Sequence, residues 1–436
     1  MRRACILFLI LSALFAMAAW GQKADEGFVP LFNGKNLDGW ANVNCAPETF
    51  TVRDEIIICT GLPTGVMRTD KQYENYILDL EWRHLKESGN AGLFVHSAAI
   101  PVRGQPFTRS VEVQVMDGDE GSVFAIQGGT MASPYPHPKG WSRALPLENK
   151  MMPTGMWNHY RVVCRDGTLA LEINGRLVNR AFHTNPRKGY ICLESEGSEV
   201  HFRNIRIKEL PGSKPPPPAA VVGQPCEGFR SLYNGLDLRG WKMVPGHEGH
   251  WKANDWILEY DGKSQAEGDK ALWTEEEFGD FKLIVDWRFP GPFKYEKAPI
   301  ILPDGSYALD QNGNQETAVI LDGGDSGIYL RGMSKSQINI WQWPVGSGEI
   351  WGYRLDKEMS AEVRAGATPI LNADRPVGQW NRYEITMVGD RVTVVLNGKT
   401  VIDNARLPGI PKRGPVALQH HGDSVQFANI YIKELD

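Results

Sequence analysis

The chain has 436 residues, 42% hydrophobic and 23% charged, with a formal net charge of −5. That balance belongs to an ordinary globular protein of two or three domains and excludes the basic surface that a nucleic-acid binder needs. Fourteen Trp and 46 Gly stand out, and both suit a β-rich protein with many turns and flat apolar faces.

The chain opens MRRACILFLILSALFAMAAWGQ, with two arginines, an apolar run from Ala4 to Ala19 and then small residues. This is the order of a secretory signal, so residues 1–21 are read as a leader, with a mature start near Gln22 and a secreted or periplasmic product. A membrane anchor is the competing reading. The run falls short of the roughly 20 apolar residues of a span, and Lys23, Asp25 and Glu26 follow at once. No later stretch reads as a membrane span. Cys45, Cys59, Cys164, Cys192 and Cys226 remain after the leader, without CxxC spacing. A zinc site is therefore disfavoured, and an oxidising location predicts at least one disulfide among the first four.

Beyond the leader the chain is written twice. NGKNLDGW (33–40) returns as NGLDLRGW (234–241), and TFTVRDEIIICTG (49–61) as HWKANDWILEYDG (250–262). YILDLEWR (76–83) matches FKLIVDWR (281–288), NAGLFVH (90–96) matches DSGIYLR (325–331), and WNHYRV (157–162) matches WNRYEI (380–385). LEINGRLV (171–178) matches VVLNGKTV (394–401), and GYICLESEGSEVHFRNIRIKEL (189–210) matches GPVALQHHGDSVQFANIYIKEL (414–435). Two copies of one domain are predicted, at 24–211 and 224–436, with residues 212–223 as an extended proline-rich linker.

Within each copy the pattern is strand after strand. Leu78, Leu80 and Trp82 alternate with Asp79, Glu81 and Arg83, and DRVTVVLNGKTVI (390–402) is a hairpin around Asn-Gly. Amphipathic helices are nearly absent. The expected fold is all-β, two tandem concanavalin-like jelly-roll sandwiches, with Leu37 and Trp40 pinning the entry turn in a structural role.

LFNGKNLDGW, NAGLFVH, EVQVMD, WNHYRV, ING and GYICLESEGSEVHFRNIRIKEL, in that order, resemble the 3-keto-disaccharide hydrolase domain family, and the resemblance covers both copies. It implies a concanavalin-like jelly roll and cleavage of glycosides oxidised to a ketone at sugar C3. The implied route is 1,2-elimination to a 2-hydroxy-3-keto-glucal, followed by addition of water. Such chemistry needs a base for the acidified C2 proton, a stabiliser for the enolate oxygen, an acid for the departing O1, and aromatic surface for the sugar.

Polar residues recurring on one strand face supply the candidates. Glu81 and Arg83 align with Asp286 and Arg288, Glu112 and Gln114 with Gln337 and Asn339, and His96 with Arg331. In copy one, Glu81, Arg83, His96, Glu112 and Gln114 are expected to line one face, with Glu112 as acid or base and Gln114 and Arg83 orienting the sugar and its enolate. The bland alternative is a solvated charge ladder. Asp117, Glu194 and Glu196 are further carboxylate candidates. Copy two carries Gln337 in place of Glu112, so its candidates are His420 and Asp286 for catalysis and Asn339, Arg288, Arg331, Trp341 and Trp343 for sugar binding. His420 and His421 are adjacent, so only one can reach the site. A divalent ion is an alternative oxyanion stabiliser, although no fixed-spacing metal motif is present. The partner is a glycoside. A non-catalytic carbohydrate-binding tandem and a structural surface module are the rival readings.

Overall fold

The computed structural model describes residues 27–140 and 142–435, so the leader lies outside the described residues. Both copies fold as two-layered antiparallel sandwiches. In copy one the back sheet is centred on Tyr76–His84, flanked by Asn158–Arg165 and Val200–Glu209. Its counterpart in copy two is Phe281–Arg288, flanked by Asn381–Val388 and Val425–Glu434. The period-2 pattern explains which faces meet: Leu78, Leu80 and Trp82 point inward, as do Leu283, Val285 and Trp287.

The front sheet of copy one orders Ser110–Gln114, Gly92–Ser97, Tyr190–Ser195, Gly65–Thr69 and Trp40–Val43 side by side. Copy two repeats the order with Met333–Ile340, Ser326–Leu330, Ala417–Leu418, Leu272–Thr274 and Trp241–Lys242. Val113 and Leu193 close one core against Trp82 and Tyr160; Ile338 and Leu418 close the other against Trp287 and Tyr383. Burial of each such side chain contributes about 1.5–3 kcal/mol.

The repeated entry motif is structural in both copies. Asn33 Oδ1 accepts from Lys35 N (2.7 Å) and Asn36 N (2.9 Å), and Asn234 Oδ1 from Leu236 N (2.8 Å) and Asp237 N (3.0 Å). Trp40 Nε1 then donates to Leu31 O at 3.0 Å and Trp241 Nε1 to Leu232 O at 2.8 Å, each fastening the turn to its sandwich. Asn397 (φ 53°) and Gly398 (φ 79°) form the predicted hairpin turn, which only residues tolerant of positive φ can occupy.

The two sandwiches meet head to tail. Ile284 and Tyr431, on the outer face of copy two's back sheet, pack with Val43, Val66, Phe94, Tyr190 and Cys192 on the outer face of copy one's front sheet. A polar seam surrounds them. Asp286 Oδ2 accepts from Gly104 N (2.8 Å) and Asn429 Nδ2 (2.7 Å) and pairs with Arg382, which also donates to Pro101 O at 2.8 Å. The Gly104 backbone lies so close to Trp380 that a Cβ there would stand 2.2 Å from the ring. Pro215, Pro216 and Pro218 are exposed, whereas Val221 to Gln224 is tied to copy one through Arg187 N to Val221 O (2.8 Å) and Ala99 N to Gln224 O (2.9 Å).

All five described cysteines are free, so the expected disulfide is absent. Cys45, Cys59 and Cys164 sit in the copy-one core and Cys192 on the opposite face of the front sheet. Burial pushes the Cys59, Cys164 and Cys192 thiols up to about 12. They act as small apolar side chains.

Candidate functional site

Both front sheets carry the same local arrangement, built on a glycine of the strand between two polar-bearing strands. A Cβ on Gly327 would lie 2.6 Å from Gln337 Cγ and 2.8 Å from Gln419 Oε1; one on Gly92 would lie 2.6 Å from Glu194 Oε2 and 2.8 Å from Glu112 Oε1. Only glycine leaves room for two long polar side chains to converge over the strand. Gly327 pairs with Asn339 and Gly92 with Gln114, so five positions correspond: Asp325, Gln337, Asn339, Gln419 and His421 in copy two; Asn90, Glu112, Gln114, Glu194 and Glu196 in copy one.

In copy two these residues line a cleft of about 600 Å³. Asp325 stands just before its strand, with Oδ2 3.7 Å from His421 Nε2; His421 Nδ1 is 3.9 Å from Asp423 Oδ2. Burial, then the charges of Asp423, Asp322 and Glu349, push the Asp325 carboxyl up to about 8. Gln337 Nε2 donates to Asn339 Oδ1. Asp325 Oδ1, Asn339 Nδ2 and Gln419 Oε1 are buried without a hydrogen-bond partner. Each such atom costs about 1–3 kcal/mol. Three of them on residues lining one cleft make it the candidate site of copy two. Trp351 is exposed on the wall, and Tyr329 lies against Trp273 with ring centroids 5.6 Å apart.

The cleft wall is braced from behind. The helix Trp351–Leu355 carries Arg354, which forms a fully buried ion pair with Glu349 and donates to Gly305 O (3.1 Å) and Tyr307 Oη (3.3 Å). Those two residues belong to a segment around the hairpin Lys294–Pro299 and Thr317–Asp322, which copy one lacks.

Copy one has the same frame with different chemistry. Burial, then Glu196 and Asp119, push Glu112 up to about 8; burial, then Glu112 and Glu196, hold Glu194 well above the usual carboxylate range. Asn90 Nδ2 donates to Glu196. The remainder of this front face, at Val66, Phe94 and Cys192, is covered by copy two. The corresponding Ala271, Tyr329 and Ala417 form a separate small cluster on the second front sheet, with Trp273 packed against it.

The structure separates several residues that the sequence grouped. Glu112 and Gln114 do stand together, but Glu81 and Arg83 lie on the outer face of the back sheet, across the core from them. There Glu81 pairs with Arg203 at 2.6 Å, and Arg83 lies 4.5 Å above the Trp157 ring. His96 is 1% exposed with Nε2 bonded to Glu74 O at 2.9 Å, and burial lowers its pKa to about 4. Its counterpart Arg331 is equally buried, donating to Gly279 O, Gly389 O and Asp280. Both side chains are structural fasteners. Asp286 belongs to the seam, and Arg288 bonds Gln426 on the back sheet and covers Trp380. His420 turns away from the cleft to bond Tyr260 Oη, and its neighbour His421 lines the cleft. Trp341 and Trp343 stack on each other at 3.7 Å, beyond the end of the strand, and are not among the cleft-lining residues. Asn339 lines the copy-two cleft. Asp325 and Gln419 were missed as site residues. Laying Asn90, Glu194 and Glu196 beside their copy-two counterparts would have shown a second recurring polar set. Among the described residues no group of three or more His, Cys, Asp or Glu is placed to hold a metal ion.

Paired sandwiches, each with a polar crossing over a front-sheet glycine, define a tandem concanavalin-like jelly-roll protein. The chain belongs to the family of the 3-keto-alpha-glucoside-1,2-lyase-like domain, which matches residues 27–208 and again 228–433. It is similar to the 3-keto-disaccharide hydrolase of Bacteroides thetaiotaomicron, 22% identical over 240 residues that make up 42% of this chain and 79% of that protein. Among solved structures, one from Parabacteroides distasonis, assigned by name to the glycosyl hydrolases, is 24% identical with a TM-score of 0.35, over 44% of this chain and 97% of its own. The Bacillus licheniformis β-glucanase is 13% identical with a TM-score of 0.30, over 42% and 97%.

Proposed function

We propose that this protein is a carbohydrate-active enzyme that cleaves 3-keto-glycosides by 1,2-elimination and then hydrates the product, and that the copy-two cleft carries the reaction. The observation that supports this most is the meeting of Asp325 and His421 over a set of amides with unsatisfied atoms. The family match and the name of the Bacteroides relative point to the same substrate class.

In this reading ionised Asp325 removes the C2 proton, which the C3 ketone has acidified. The unpartnered Asn339 Nδ2 donates to the enolate oxygen, and His421, 3.7 Å from the Asp325 carboxylate that has taken the proton, relays a proton to O1 as the C1–O1 bond breaks. The leaving alcohol departs and a 2-hydroxy-3-keto-glucal remains. Water then adds across C1 and C2, its hydroxyl to C1 and a proton to C2, giving the free 3-keto sugar. Tyr329, Trp273 and Trp351 offer apolar faces for sugar rings.

Purified protein is incubated with a 3-keto-disaccharide and with its unoxidised parent while the enone absorbance of the keto-glucal is followed. Turnover of the keto sugar alone is expected. Binding without turnover would instead establish the carbohydrate-binding reading, and neither would overturn both.

A further inference from the structure

A cavity of about 670 Å³ lies where the two sandwiches and the segment joining them meet. Its lining includes the apolar side chains of Ile100, Val102, Val222 and Pro225, together with three arginines. Arg103 and Arg109 come from copy one and Arg382 from copy two. No carboxylate is among its described lining residues.

The charges of these arginines are unevenly balanced. Arg382 is paired with Asp286, Nε to Oδ1 at 2.6 Å. Arg103 donates to Asn397 Oδ1 at 3.0 Å, and Arg109 to Asn185 Oδ1 at 2.6 Å and Gly128 O at 3.2 Å, all neutral acceptors. Two half-buried guanidinium groups thus share one cavity without a carboxylate in direct contact, Asp286 acting on Arg103 only at a distance because it is paired with Arg382, in a chain whose net charge is −5. Withdrawing unpaired like charges from water is unfavourable, and guanidinium is the donor best shaped for a planar or tetrahedral oxyanion. The walls are already built. Ala99 N to Gln224 O (2.9 Å) and Gly223 N to Lys188 O (2.7 Å) fix the joining segment, and Asn429 Nδ2 donates to Val102 O (3.3 Å) and Gln105 O (3.0 Å) from the other copy.

We propose that this junction cavity binds a small oxyanion, a carboxylate or phosphate group carried on an apolar or sugar body, held by Arg103 and Arg109 with Arg382 as the third donor. The ligand bridges the two copies, so its binding also strengthens the tandem arrangement.

Calorimetric titration of the full chain with inorganic phosphate and with methyl glucuronide tests this. At least one probe is expected to bind with Kd of about 1 mM or tighter, more weakly at higher salt. Binding of phosphate alone assigns recognition to the anionic head, and binding of the glucuronide alone assigns a share to the sugar body. Arg103→Gln and Arg109→Gln are each expected to weaken binding about tenfold while leaving turnover of the keto sugar unchanged. If Arg103→Gln misfolds, Arg109→Gln decides alone. Absence of binding by both probes, or affinity untouched in a folded Arg109→Gln protein, would overturn the assignment.

Discussion

Asp325 Oδ2 and His421 Nε2 stand 3.7 Å apart in the copy-two cleft, one from the middle of the repeat and the other from near its end, brought together by two neighbouring strands. The aspartate is largely buried and its carboxyl is pushed up to about 8, while the side chain of His421 is half exposed. The raised carboxyl means that Asp325 becomes available as a base only as pH climbs through about 8.

Asp325→Asn is therefore expected to reduce keto-glycoside elimination about 10²–10⁴-fold, with folding intact because the change is nearly isosteric. In the wild type the rate should rise as pH climbs through about 8, where Asp325 becomes ionised, and the variant should lose that limb. A pH–rate profile with a folded Asn variant checks both; full activity in it would move the base elsewhere.

Glu112 gives a stability test that is separate from turnover. Burial pushes its carboxyl from the ordinary 4.5 up to about 8 in the folded protein and so favours the protonated form. That contribution is complete below pH 4.5 and is lost as pH rises to about 8. Glu112→Gln cannot ionise, and its melting temperature relative to wild type should improve across this window. Thermal melts at several pH values measure it. Activity should persist in the variant; a loss comparable to that in Asp325→Asn would return the chemistry to copy one.

The seam predicts how the copies come apart. Asp286→Ala leaves the buried Arg382 charge unpaired, a loss of about 3–5 kcal/mol. Proteolysis within residues 212–223 should yield two folded fragments that co-elute in the wild type and separate in Asp286→Ala. Size-exclusion chromatography of the nicked protein gives the answer, and fragments that unfold once cut would refute independent domains.

Export and thiol state are checked together by mass spectrometry. Protein recovered from its native host is expected to begin near Gln22, and alkylation after denaturation should count five free cysteines. A retained Met1 would overturn the export reading, and a disulfide would contradict the thiol arrangement.

The repeat, the strand faces and the entry turns were legible in the sequence because each rests on local periodicity: Leu80 and Trp82 point inward because their neighbours do not. The site was only half legible. Glu112 and Gln114 were grouped correctly because they are two residues apart on one strand. Arg83 was misplaced because alternation tells which face of a sheet a residue occupies, not which of two sheets it belongs to. Asp325 and His421 come together through strand order, which has no local signature, and Asp286 was misplaced as Arg83 was, since it lies on the back sheet, where the contact between copies takes it up.

The head-to-tail packing has a consequence for valency. Copy two offers Ile284, Ala428 and Tyr431 on its back sheet, whereas copy one has Asp79, Arg203 and Arg206 at the matching positions, with Asp79 bonded to Arg161 and Arg206. A heterologous interface of this kind would propagate into a fibre if each back could seat another front. The charged back of copy one lacks the apolar knobs that make the joint, so the series ends after one step. Copy one's own front is covered at Val66, Phe94 and Cys192, so only the front of copy two is open across its width. A ligand that needs the whole of that front face therefore has one place to sit on each molecule.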